Sequence, residues 1–345
     1  MILNKYSILL LLIITLGCKK PFSETSKTAL ALPKVMLKTT ESIVFIAGYD
    51  EGDNTYYSNA KHYFEAQKTL VIDHLFSVAE IITWLNQNPN KTYKNIHIVS
   101  HSNAWLGMAL KTIKNGERIT VKTLSLAKNN NKIPVLKYGI TTNTNVIFHS
   151  CGLGDNKALL QNIKPLFITK HTPKIVASSY FNIFGGKFAG HYLAKPYYGY
   201  YPTAESPGPA ALSKTFKTNY PDSPINWFTA LKTRQETTLG EVYSYKFNIP
   251  VEWEFTFDNE TEIPKLSNKE AIMDWVSESQ EMAETLYNLN IPIEKYRWKS
   301  QIKGNKLYIK GKTTVLCVLE PILHANDDSE YRTATIDDTS LYHTM

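Results

Sequence analysis

The 345-residue chain carries 43% hydrophobic and 20% charged residues, the balance of a folded protein with a full core, which excludes wholesale disorder. Its formal net charge of +7 comes from lysines spread along the sequence. With no Arg-rich or Lys-rich block, the charge reads as a solvated basic surface and no nucleic-acid partner is expected. The length admits one large domain with a smaller companion.

At the amino terminus Lys5 precedes an apolar stretch, 8–16, that ends in Gly17-Cys18. This is the charged, apolar, small-residue order of a secretory signal, and it is too short to span a bilayer. Residues 15–18, TLGC, resemble the lipobox of bacterial lipoproteins. That resemblance implies lipidation of Cys18 and an exported protein held on the periplasmic or cell-surface face of a membrane; secretion with cleavage near Cys18 is the alternative. Residues 19–40 are polar with two prolines and read as a tether.

The first core strand is expected at 42–47 (SIVFIA), followed by a loop with Asp50, Glu51 and Asp53, a helix over 57–65 and a strand at 69–73. Residues 77–86 (SVAEIITWLN) have apolar positions at helical spacing and a serine suited to the N-cap. A third strand, 96–100, ends at His101. Asn115-Gly116 marks a hairpin between 106–114 and 117–123, and 123–128 reads as a short helix. Strands follow at Asn145–His149 and 174–178, with a helix over 156–163 between them. Strands alternating with helices give an α/β fold with a mostly parallel sheet flanked by helices.

Residues 180–209 are dense in Gly, Pro and Tyr and read as an irregular lid or pocket wall. From 216 the alternation is lost. Strands are expected at 242–249 and 252–257, one amphipathic helix at 269–289, a hairpin around Gly304-Asn305 and a strand at 313–319. The domains are thus a signal (1–18), a tether (19–40), an α/β domain (41–215), a C-terminal α+β appendage (216–323) and a mobile tail (324–345).

His101 and Cys151 stand at the ends of two short apolar strands, the edge at which open α/β sheets bind ligands. A cysteine nucleophile needs a nearby imidazole as base and then as acid for the leaving group. The blocks VSHSNAWLG and VIFHSCGLG, their histidine and cysteine fifty residues apart, resemble the signature blocks of caspase-like cysteine peptidases. The likeness is closer to caspase-like domains of bacterial surface proteins, and it covers about residues 42–190. It implies that His101 is the catalytic histidine, that Cys151 is the nucleophile, and that the backbone N–H groups of Cys151 and Ser102 hold the oxyanion. It also implies a substrate pocket drawing on Asp155, Ser178, Ser179 and Tyr180, a peptide or protein substrate and no cofactor.

Other readings stay open. Ser102 stands where the family pattern has glycine, so the chain is alternatively a non-catalytic scaffold of the same fold. SHSNA also resembles a nucleophile elbow, with Ser102 as a serine-esterase nucleophile served by Asp222 and His191 or His324. His97, His101, His149 and Cys151 form the set a metal would need, although no short ligand pair supports it and no metal is expected. Asp50, Glu51 and Asp53 read as a solvated turn before a calcium loop. A disulfide between Cys151 and Cys317 is the oxidised alternative to a free nucleophile.

Overall fold

The computed structural model describes residues 38–325 and 327–345, so Cys18, the signal and the tether lie outside the described residues. The chain runs through β1 (Lys38–Ile46), α1 (Tyr56–Ala66), β2 (Leu70–Ile72), α2 (Val78–Asn86) and β3 (Lys91–Val99). A small ribbon of β4 (Ser102–Asn103), β5 (Gly107–Lys111) and β6 (Arg118–Ile119) carries the Asn115-Gly116 turn, before α3 (Val121–Asn129), β7 (Asn145–His149), α4 (Lys157–Ile163) and β8 (Lys174–Ser178). Each of these elements except β4 overlaps an expected one. Ser77 caps α2 by accepting from the Glu80 N–H, and Asn156 caps α4 by accepting from Leu159, as their short polar side chains favour.

The second half contributes β9 (Phe181–Phe184), β10 (His191–Pro202), α5 (Gly208–Asn219), α6 (Trp227–Lys232), β11 (Tyr243–Thr256), α7 (Lys269–Glu278) and α8 (Gln280–Leu289). It continues through β12 (Arg297–Lys303), β13 (Lys306–Pro321), β14 (Leu323–His324), β15 (Asp327–Tyr331) and β16 (Tyr342–Thr344).

The protein is a mixed α/β fold. Its first sheet has the order β16-β8-β7-β3-β1-β2, parallel throughout except for antiparallel β16. Alternate residues of its strands face opposite layers. Ile43 and Phe45 join the core under α2, α3 and α4, whereas Val44 and Ile46 pack on Tyr56, Tyr57, Ala60 and Phe64 of α1. Burial on both faces explains the unbroken apolar runs. The second sheet has the order β11-β13-β10-β9, with β12 also on β13, and α7 and α8 pack against it through Ile272, Val276, Met282 and Leu286.

Four expectations change. Residues 180–209 are not irregular, because β9 and β10 pair there. Pro196 is accommodated because the β9 partner ends at Ala194, which leaves the next stretch of β10 with an open edge and no need for that N–H. The boundary at 216 cuts through the second sheet, since β10 on one side of it pairs with β13 on the other. The helix expected over 269–289 is two helices meeting at Ser279, whose backbone is extended. In the expected mobile tail, β15 pairs with β14 and β16 pairs with β8. Among the described residues no helix is long and apolar enough to cross a membrane.

Candidate active site

Because β2 lies on one side of β1 and β3 on the other, the loops leaving β1 and β3 part company and open a crevice at the carboxyl edge of the sheet. His101 follows β3 directly and Cys151 follows β7. These two strands are parallel neighbours with Val99 opposite His149. Both side chains line one cavity of about 900 Å³, closed on its far side by Tyr245, Phe247 and Leu319 of the second sheet.

His101 is held by the loop after β1 and by α1. Its backbone N–H donates to Tyr57 Oη at 2.9 Å. Its ring stacks on Tyr56 at 4.4 Å and meets the edge of Tyr57 at 4.8 Å. Asn54 Nδ2 donates to His101 Nε2 at 2.7 Å. The Asn54 amide is oriented by the Tyr56 N–H, which donates to its Oδ1 at 3.1 Å, so Nε2 must accept and the proton of the neutral ring sits on Nδ1. Burial lowers the His101 pKa to about 4, Arg118 adds to that, and Asp50 opposes it.

Asp50 has a structural task. Its carboxylate accepts from the Tyr57 N–H at 2.8 Å and the Ser58 N–H at 3.1 Å, capping α1, whose own N-cap residue, Thr55, accepts no helix N–H with its side chain. The Asp50, Glu51 and Asp53 loop therefore acts as a helix cap through Asp50.

Cys151 is only 7% exposed. Its thiol donates to the Asn182 carbonyl at 3.9 Å, and burial pushes its pKa up to about 12. It makes no hydrogen bond to His101 among the described residues, so the cavity at rest holds a neutral thiol and a neutral imidazole that do not touch through a hydrogen bond. Gly152 and Gly154 are required by the turn that follows. Gly152 has φ +69°, and a Cβ on Gly154 would lie 2.6 Å from Ser179 N.

Cys317 joins Cys151 in an apolar cluster with Phe181, Tyr192 and Leu319. Both thiols are free, which sets aside the disulfide.

The residues expected at the oxyanion and the substrate pocket separate. Ser102 does not adopt positive φ, so its backbone places no demand for glycine there. Ala109 N–H donates to His101 O at 2.7 Å and Ser102 faces Met108; the antiparallel alternation then turns the Ser102 N–H away from β5. The Cys151 N–H has no acceptor among the described residues, whereas the Gly152 N–H donates to Tyr180 O at 3.2 Å.

Ser102 and Asp155 line a second cavity, of about 410 Å³, on the other side of the Cys151 loop. Ser179 Oγ donates to Asp155 there. Ser178 is fully buried and donates to Leu341 O at 2.8 Å. Tyr180 lines a further cavity with Lys195 and Glu320. None of these five residues lines the cavity of His101 and Cys151; the chain after β8 contributes Phe181, Ile183 and Phe184 of β9 to it instead. Among the described residues the Ser102 hydroxyl hydrogen-bonds to no imidazole. His191 is engaged with Asn182, and Asp222 is exposed beyond α5.

The histidines considered for a metal meet one another instead. His97 Nδ1 and His149 Nε2 are 2.9 Å apart. His149 Nδ1 lies 3.3 Å and His191 Nε2 3.2 Å from Asn182 Oδ1. With all three rings neutral, His149 and His191 donate to the amide oxygen and His97 donates to His149. Burial lowers the pKa of all three, and mutual repulsion adds to this for His97 and His191. Among the described residues no group of three or more His, Cys, Asp or Glu side chains is arranged to hold a metal ion.

Asn54, Tyr56, Tyr57 and Asn182 escaped the sequence reading. The only cue was a polar and aromatic run, DNTYY, directly after the loop of β1. No protein-family model, curated protein or solved structure matches the chain.

Proposed function

We propose that the chain is an exported, lipid-anchored cysteine endopeptidase of caspase-like type, with Cys151 as nucleophile and His101 as its proton-transfer partner. The observation that carries this reading is the emergence of these two side chains from adjacent parallel strands into one cavity. The neutral resting pair implies that the thiol loses its proton as the sulfur attacks the peptide carbonyl, not beforehand.

The only lone pair on the resting imidazole is at Nε2, and Asn54 occupies it. Substrate entry has to displace that amide before His101 takes the thiol proton and passes it to the leaving amine. The free N–H of Cys151 is the donor available to the developing oxyanion. Water then enters, His101 removes its proton, and the thioester is hydrolysed. None of these steps uses a cofactor. Lipid on Cys18 would hold the protein at a membrane, and a Cys18→Ala variant released from the membrane fraction would identify that anchor.

The deciding experiment compares wild type with Cys151→Ala against a broad library of unstructured peptides. Cleavage by wild type alone is expected, with loss of activity when a thiol alkylator modifies Cys151. Equal cleavage by both proteins would sink the reading, and labelling of Ser102 by a fluorophosphonate would replace it with a serine esterase. The missing hydrogen bond between His101 and Cys151 favours one second reading, a binding scaffold that cleaves nothing. A folded wild type with a free Cys151 and no hydrolysis of any peptide would establish it.

A further inference from the structure

We infer that an extended peptide binds as an added strand along the free edge of β11 at Lys246 and Asn248, so that the peptide track lies in the C-terminal half of the chain and not in the loop after β8. For its link to cleavage, this rests on the reading of Cys151 and His101 above.

The register of β11 on β13 runs without a shift from Tyr243 opposite Leu319 to Thr256 opposite Lys306, and β11 is the outer strand of its sheet. The Ser244 N–H donates to Thr233 O at 3.0 Å, an acceptor outside the ladder. Antiparallel alternation then sends the backbone groups of Ser244, Lys246 and Asn248 outward, and those of Tyr245 and Phe247 toward β13. Pro250 falls on the same outward set, where a missing N–H costs nothing. Beyond Ser244 the edge is unclaimed. Among the described residues the Lys246 and Asn248 N–H groups donate to no acceptor outside the sheet.

This open edge faces the site. Ser244, Lys246 and Phe247 line the cavity that holds His101 and Cys151, and Tyr245 and Phe247 pack against the apolar cluster around Cys151. An extended backbone laid on the edge exchanges main-chain hydrogen bonds with it and points alternate side chains into the cavity and away from it. The partner is therefore an unfolded segment recognised through its backbone.

The test uses the full chain carrying Cys151→Ala, so that binding is scored apart from cleavage, with a pool of unstructured fluorescent peptides read by anisotropy. Adding Lys246→Pro removes the outward N–H without touching the β13 ladder, and about a tenfold loss of affinity is expected. Glu252→Pro, at an outward position remote from the cavity, reports the cost of a proline in β11 and is expected to leave binding unchanged.

A scan of N-methyl groups along one bound peptide, which needs no protein variant, is expected to weaken binding at alternate residues. Unchanged binding by the Lys246→Pro protein, an N-methyl scan without a two-residue period, or a pool that does not bind at all would each overturn the inference. Binding with this pattern but no cleavage by the wild-type cysteine would remove the catalytic reading and leave the track in place. Cleavage with an unaltered KM in Lys246→Pro would do the reverse.

Discussion

Acidification should unfold this protein early, and the cause is the trio His97, His149 and His191. Burial holds all three below the ordinary histidine value, and no carboxylate hydrogen-bonds to any of them among the described residues. In the unfolded chain each titrates near 6.5. Between that value and the depressed folded value the unfolded state binds more protons, so stability is complete above about pH 6.5 and falls as pH drops below it. Each imidazole kept neutral costs about 1.4 kcal/mol per pH unit, hence about 2 kcal/mol apiece and about 6 kcal/mol for three at pH 5. Whole domains are stable by about 5–15 kcal/mol, so the cost is a large share of the total. Urea unfolding followed by circular dichroism at pH 7.5, 6.5, 5.5 and 5 measures it. The expected slope between pH 6 and 5 approaches three protons taken up on unfolding from the trio, and His101, which burial holds at about 4, adds up to one more. A slope of less than one proton, or an NMR titration placing the three rings near 6.5 in the folded state, would refute the reasoning.

Three further outcomes are expected. Asn54→Ala removes the donor that stabilises the neutral His101 ring, so an NMR titration should move the His101 pKa upward by about 0.5–1 unit, and iodoacetamide should modify Cys151 faster; no change in either would show that the amide does not restrain the ring. Gly154→Ala places a Cβ against the Ser178 and Ser179 backbone and should cost about 1–3 kcal/mol in denaturant unfolding, more than a surface substitution costs; an unshifted midpoint would contradict the close approach. Deleting residues 341–345 bares the edge of β8, and size-exclusion chromatography should then show association through that edge; a stable monomer of unchanged melting temperature would argue against it.

The first half of the fold was legible because local signals agree there. Apolar runs at 42–47, 96–100 and 145–149 are buried on both faces, and Ser77 and Asn156 announce their helices. In the second half, composition misled. The prolines and glycines of 180–209 suggested irregular chain, but Pro196 sits where β10 has lost its β9 neighbour, Gly199 makes room for Phe216, and the strand is held by a distant partner, with Pro196 opposite Leu319 of β13. Likewise, 242–249 and 252–257 form one strand because Pro250 occupies an outward position of an edge strand, which cannot be read without the register. At the site, His101 and Cys151 came together as their strand ends suggested. The groups that control them did not show. Asn54 reaches His101 through a turn fixed by Asp50, Tyr56 and Tyr57, and β11 closes the cavity from a separate sheet. Asp155, Ser178, Ser179 and Tyr180 were assigned from the family resemblance, but each is claimed by a structural hydrogen bond or faces another cavity.

The first sheet takes its sixth strand from beyond the entire second sheet, with Ser178 bonded to Leu341 across 163 residues of sequence. During synthesis, therefore, β8 waits with an unpaired edge while the intervening helices and strands emerge. Pairing so distant in sequence is slow to form, and an open parallel sheet is a template for other chains. The late arrival of β16 makes folding of the two halves a single event: neither is finished before the other, and a fragment ending near residue 215 would inherit the open edge permanently.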